Sequence, residues 1–171
     1  MDLGISGKVV MITGGGGALG TAMARMFADV GAKVAVLDLN SENAAKTALI
    51  VSEKGGKSCS IGADITDKSQ IDQAFAQITQ KLGPVDILVN NAGFSRDSYL
   101  TKMDEADWDL VHNTVLKGTF HCSRAALPSM MERKFGRIIN ISSMSYLGNA
   151  GQTNYSSAKA GLIGMTGALA R

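Results

Sequence analysis

Four consecutive glycines, Gly14 to Gly17, stand between a short apolar run and an alanine-rich helical pattern in VVMITGGGGALG, residues 9–20. No other stretch restricts the fold as strongly. An apolar run of strand length that breaks into glycine and then into helical periodicity predicts a strand–turn–helix unit. Glycine carries no Cβ, so a ligand can come close to the main chain. The first turn of the helix behind it has N–H groups without intrahelical partners, at the positive end of its dipole. Such a turn suits a phosphate or a pyrophosphate.

The pattern beyond this turn continues in the same sense. Lys8 to Ile12 reads as a buried strand. Leu19, Ala22, Met23, Met26, Phe27 and Val30 recur at helical spacing, and Gly31 closes that helix. Lys33 to Leu37 is a second buried strand with Asp38 at its carboxyl end. Strand, glycine turn, helix, strand and acid, in that order, predict a right-handed βαβ unit. Asn40 or Ser41 can cap a second helix, ended by Gly55–Gly56. Lys57 to Ile61 is a third strand, followed by Asp64. Thr66 or Asp67 caps a third helix with Ile71, Phe75, Ile78 and Leu82 inward, and Gly83–Pro84 stops it. Val85 to Val89 is the fourth strand, with Asn90, Asn91, Ala92 and Gly93 just beyond it. A polar loop leads to a long helical stretch from about Asp104 toward Met131, which Pro128 kinks or ends. Arg137 to Ile141 is the fifth strand, Ser142 and Ser143 stand at its end, and a last helix from about Thr153 runs to the final residue. Five strands alternating with helices predict an α/β, Rossmann-type doubly wound parallel sheet with helices on both faces, in a single domain over residues 1–171.

In such sheets ligands bind at the carboxyl edge of the strands, where this chain collects its glycines, Asp38, Asp64, Asn91 and the serine pair. The glycine turn in its strand–helix context is a dinucleotide fingerprint, carried by Gly14, Gly15, Gly16, Gly17, Leu19 and Gly20. Asp38 selects among dinucleotides. A carboxylate there accepts from both ribose hydroxyls of NAD and repels the 2′-phosphate of NADP, and Leu39 and Asn40 bring no cation to offset that. Tyr155 and Lys159, four apart on a predicted helix, share one face. A free phenol titrates near pH ~10 and is a poor acid–base group at neutrality. An ammonium about 4 Å away stabilises a phenolate by up to ~4 kcal/mol at an effective dielectric of 20, before desolvation works against it.

The whole chain from Lys8 onward resembles the short-chain dehydrogenase/reductase family. It carries that family's cofactor turn as TGGGGALG (Thr13–Gly20), its NNAG as Asn90–Gly93 and its YxxxK as Tyr155–Lys159. The stretches 93–103 and 148–166 look most like its 3-oxoacyl-[acyl-carrier-protein] reductase branch. The resemblance implies an NAD(P)-dependent oxidoreductase that moves a hydride between NAD(H) and a secondary alcohol or ketone, including a 3-hydroxyacyl or 3-oxoacyl thioester. NADP is the less favoured cofactor because of Asp38. The family's roles would fall on Tyr155 as acid/base and on Lys159 as its electrostatic partner, holding the nicotinamide ribose. Asp64 and Ile65 would border the adenine, and Asn91, with Ala92 and Gly93, the adjacent ribose. A serine would hold the substrate oxygen. Spacing to the tyrosine selects Ser142, and alignment on the strand end selects Ser143, which we prefer because a strand end is fixed better than a loop.

Two departures stand out. Where the family has an Asn before LKGTF, this chain has Val115, and Asn113 lies two residues too early to share its direction. If a side chain or a helix distortion is required there, turnover should suffer; if a backbone carbonyl suffices, Val115 can serve. Family members also continue through two more strands and a substrate-covering loop, so the chain reads as an incomplete, C-terminally truncated domain. The resemblance also implies a homodimer or homotetramer for a full-length form. Met130, Met131, Leu162 and Met165 belong either to that interface or to the core.

Composition sets the remaining bounds. The chain is 45% hydrophobic with a net charge of +2 and no charged block, so neither nucleic acid nor a membrane surface is an expected partner. Two distant cysteines, Cys59 and Cys122, form neither a disulfide framework nor a zinc site, and no basic-then-apolar leader follows Met1. A cytoplasmic protein without a metal is the expectation. His112 and His121 read as surface or packing residues.

Overall fold

A computed structural model describes residues 4–171. Its strands are β1 (Val9–Thr13), β2 (Lys33–Asp38), β3 (Ser58–Gly62), β4 (Ile87–Asn90) and β5 (Arg137–Asn140). The helices are α1 (Ala18–Asp29), α2 (Ser41–Glu53), α3 (Lys68–Leu82), α4 (Glu105–His112), α5 (Gly118–Glu132) and α6 (Thr153–Leu169). The strands form one parallel sheet in the order β3-β2-β1-β4-β5. Chain order reverses between β1 and β4, and a crevice opens at the carboxyl ends of such a pair.

Side chains along a strand alternate between faces, and in β1, β2 and β4 both faces are buried, whereas the edge strand β5 is partly exposed. Met11, Ala35, Leu37 and Leu88 pack with Ile71, Ala74 and Ile78 of α3 and with Cys122, Ala126 and Met130 of α5. Val10, Ile12, Val34, Val36 and Val89 pack on the other face with Ala24 of α1 and Ala44, Ala48 and Val51 of α2. This two-sided burial is why the three central strands read as continuous apolar runs. A third cluster joins Val111 and Val115 to Ala158 and Leu162, seating α6 against the long helix. At the amino edge, Asp86 accepts from Val9 N–H at 2.9 Å and pairs with Arg133, whose guanidinium also donates to Val85 O.

The caps follow local chemistry. Asn40 caps α2, its Oδ1 accepting from Asn43 N–H at 3.1 Å. Asp67 caps α3 through Ser69 N–H and Gln70 N–H. The Ser69 hydroxyl and the Gln70 amide donate to the same carboxylate, and these side-chain hydrogen bonds, that from Ser69 foremost, lower its pKa to about 2. Beyond one-residue shifts at strand ends, three expectations are corrected, the first being that α6 ends at Leu169 and not at the final residue. Strand β4 starts at Ile87 rather than Val85. Pro128 does not end the long helix, because α5 runs through it to Glu132. The face that buries Cys122, Ala126 and Met130 against the sheet outweighs the hydrogen bond that proline cannot make. Met130 and Leu162 are core residues, whereas Met131 is exposed.

Candidate active site

The β1/β4 crevice is a cleft of about 770 Å³. Gly14, Gly17, Leu19 and Gly20 line one part of it, Asp38, Asp64 and Ile65 another, and Asn91, Ala92, Gly93, Ser142, Ser143, Tyr155 and Lys159 the rest. The other two predicted turn residues, Gly15 and Gly16, do not line it. A Cβ on Gly15 would meet Val36 Cγ1 at 2.7 Å, and one on Gly16 would meet Asn43 Cβ at 2.6 Å. Those glycines let β2 and α2 approach the turn.

The turn closes on bare backbone. Gly14 has φ +61, and a Cβ there would lie 2.9 Å from Ala92 Cα. A Cβ on Gly20 would lie 2.3 Å from Gly14 O. No side chain caps α1, whose N-terminal residues Ala18 and Leu19 face the cleft. Its first N–H groups are therefore available to a phosphate. Asp38 stands beside them, its Oδ2 accepting from Gly16 N–H at 3.0 Å and its Oδ1 from Asn40 N–H at 2.9 Å.

Sequence reasoning missed the residue that joins the two halves of the cleft. Thr13 Oγ1 accepts from Asn91 N–H and Ala92 N–H, each at 3.1 Å. The Asn91 side chain answers by donating to Thr13 O at 2.9 Å and Gly14 O at 3.2 Å. It also missed Asn154, fully buried, which donates to Arg96 O at 3.0 Å and accepts from Tyr155 N–H at 2.7 Å. Asn154 fixes the loop after β4 to the start of α6. An Asn directly before the helical Tyr was the available signal. Phe94, Arg96, Leu110 and Thr114 complete the lining. His121 is buried, and its Nδ1 lies 3.1 Å from Ile65 O, holding Ile65 in the wall.

Tyr155 and Lys159 point into the cleft from one face of α6, with Lys159 Nζ 5.4 Å from the Tyr155 ring centroid. Lys159 is 3% exposed, and its ammonium donates to Ile141 O at 2.6 Å. Burial lowers its pKa from the ordinary lysine value, since desolvation disfavours the charged form. Ser142 Oγ donates to Lys159 O at 2.9 Å. Ser143 Oγ meets only Ser145, its hydroxyl and its N–H both at 3.2 Å.

The sequence model described as short chain dehydrogenase matches residues 8–171. The chain belongs to this family. Among curated short-chain dehydrogenase relatives, it is 46% identical over 168 residues to the (2S)-[(R)-hydroxy(phenyl)methyl]succinyl-CoA dehydrogenase subunit BbsD of Thauera aromatica, covering 98% of this chain and 68% of that protein. It is 42% identical to the 3-oxoacyl-[acyl-carrier-protein] reductase FabG of Thermotoga maritima, covering 95% of this chain and 66% of the relative. The acetoacetyl-CoA reductase of Synechocystis sp. is also 42% identical, covering 100% and 68%. A crystal structure of NAD+-bound xylitol dehydrogenase superposes with a TM-score of 0.92 at 30% identity, covering 95% of this chain and 63% of that one. The chain thus spans about two thirds of the length of these family members. No helix among the described residues is long and apolar enough to cross a membrane.

The short-chain dehydrogenase resemblance raised Val115 as a departure, and the geometry speaks to it. Residues Asn113–Lys117 form a π-turn between α4 and α5. The helix is therefore distorted here without an Asn at 115. Thr119 Oγ1 donates to Val115 O at 2.7 Å, a back-bond of the kind that bends helices. Val115 Cγ2 lies 3.3 Å from the Cβ position of Gly93, on which Lys159 Nζ also closes at 3.5 Å. The side chain at 115 packs beside the lysine and offers it no hydrogen bond.

Proposed function

We propose that this chain carries the coenzyme and catalytic site of an NAD(H)-dependent oxidoreductase acting on a secondary alcohol or its ketone, with a 3-hydroxyacyl or 3-oxoacyl thioester as the favoured substrate class. The observation that carries the proposal is the meeting, in one cleft, of an uncapped glycine turn, the Asp38 carboxylate and the Tyr155–Lys159 pair. The residues suit a dinucleotide. The diphosphate would lie on the N–H groups at the start of α1, and Asp38 would take the adenine-side ribose hydroxyls beside Ile65. NAD supplies the hydride acceptor when bound, or the donor as NADH.

The protein's own residues handle orientation and the proton. In the oxidising direction Tyr155 Oη takes the proton of the alcohol oxygen as the carbon–hydrogen pair leaves. In the reducing direction it returns that proton to the carbonyl oxygen. The Lys159 ammonium, held by Ile141 O, sets a positive charge near the phenol and favours the anionic form. Ser143 is the better candidate for the substrate oxygen, because the Ser142 proton is already committed to Lys159 O. The thioester preference rests on the relatives, two of which are named as a 3-oxoacyl reductase and an acetoacetyl-CoA reductase. Preference for NAD over NADP rests on Asp38, with no cation on Leu39 or Asn40.

Tyr155→Phe is expected to bind NADH normally by fluorescence titration and to lose nearly all turnover with a panel of ketones and acetoacetyl thioesters. Turnover close to wild type in that variant removes Tyr155 from the reaction. Tighter binding of NADPH than NADH by the unaltered protein overturns the cofactor assignment alone.

A further inference from the structure

The first turn of α2 rests on two positions where an added Cβ would come closer than 3.0 Å to the helix. A Cβ on Gly16 would sit 2.6 Å from Asn43 Cβ and 2.8 Å from Asn43 C. A Cβ on Gly62, at the end of β3, would sit 2.7 Å from Ser41 Cβ. Contacts under 3.0 Å force something to move. Gly62 does not line the cleft, yet it is paired in register with Asp38, and Ala63 N–H donates to Asp38 O at 3.0 Å. Gly62 thus neighbours the backbone of Asp38, and Gly16 neighbours its carboxylate. That carboxylate is held by one N–H from the glycine turn, Gly16, and one from the cap of α2, Asn40.

We infer that Gly62 is a positioning residue for the coenzyme. By leaving room for Ser41, it lets α2 settle against Gly16, and this seat brings both N–H donors onto Asp38. The carboxylate is then fixed in one orientation before any ligand arrives. An acceptor that is already oriented loses little freedom on binding a ribose diol, and the seated helix turn closes the space beside it. Cofactor choice, in this account, depends on where α2 sits as well as on the charge at residue 38. The inference rests on the reading of Asp38 as the ribose acceptor.

The test is a rescue experiment on the full chain, read by titration with NADH and NADPH and by thermal unfolding. Gly62→Ala should raise the NADH dissociation constant by about tenfold, the scale of one charge-assisted hydrogen bond, and narrow the NADH-over-NADPH ratio. Ser41→Gly removes the atom that the added methyl at position 62 would strike, and should bind NADH within about twofold of wild type. The double variant should regain that affinity. Gly62→Ala with native NADH affinity and a native melt overturns the inference. So does a double variant that folds without regaining affinity, even if Gly62→Ala alone is unfolded. Should the wild type prefer NADPH, the ribose reading of Asp38 fails, while loss and rescue measured with NADPH still report on the seat.

Discussion

Thr13→Val replaces one β-branched side chain by another of nearly the same shape and removes only the hydroxyl. That oxygen belongs to a residue 1% exposed and accepts two backbone N–H groups, from Asn91 and Ala92. A buried donor left without a partner costs ~1–3 kcal/mol. Asn91 and Ala92 are half-buried, so the lower half of that range, about 1–2 kcal/mol per N–H, is appropriate for each. The new methyl recovers part of this, because it needs no partner. A net loss of about 2–3 kcal/mol should lower the melting temperature by ~5–10 °C in a chain of this size. Thr13→Ser keeps the acceptor and gives up one methyl, at ~1 kcal/mol. Circular-dichroism melts of the three proteins decide the matter. If Thr13→Val proves as stable as Thr13→Ser, the hydroxyl does not tie the glycine turn to residues 91–92. NADH affinity should fall more for Thr13→Val than for Thr13→Ser, since Gly14 and Asn91 lie on opposite sides of that tie and both line the cleft.

Gly20→Ala should abolish a closed turn, because its Cβ meets the backbone of Gly14 and Gly15 and no side chain can yield. Gly164→Ala, within α6 and with open space around it, should instead stabilise by ~0.5–1 kcal/mol; equal melts for the two would contradict this. Asp67→Asn tests the α3 cap through pH. The folded carboxyl lies at about 2 against 3.8 unperturbed, so its contribution is complete above 3.8 and is lost as pH falls toward 2. The melting-temperature gap between wild type and Asp67→Asn should shrink over that interval, and a gap that widens there reverses the sign. Lys134 adopts φ 52 just after α5, so Lys134→Gly should stabilise by ~0.5–1 kcal/mol in a urea titration, and a loss would show that its side chain does more than its backbone suffers.

Much of the lining of the candidate cleft was legible before the fold was known. Gly14, Gly17, Leu19, Gly20, Asp38, Asp64, Ile65, Asn91, Tyr155 and Lys159 all line the one cleft. Strand ends and helix spacing located the glycine turn, Asp38, Asp64, Asn91 and the shared face of Tyr155 and Lys159, whereas Ile65 and the roles of the tyrosine and lysine came from the family resemblance. Gly15 and Gly16 looked identical to their neighbours in the sequence, yet face Val36 and Asn43. The difference lies in which elements press on them, and that depends on how β2 and α2 return to the turn. The long helix was legible as one apolar pattern, but the π-turn at residues 113–117 was not.

Local sequence was sufficient for what depends on neighbouring residues: central strands as unbroken apolar runs, helix starts within a residue of Asn40 and Asp67, and a run of glycines between the first strand and its helix. Tertiary structure alone decided what depends on residues far apart in the chain. Thr13 finds Asn91 across 78 positions, Ser142 commits its proton to Lys159 O rather than to the cleft, and burial lowers the pKa of that lysine. The reason is physical. Backbone preference and periodicity act over a turn or two, whereas hydrogen-bond partners and desolvation are set by packing, and packing exists only once the sheet has formed.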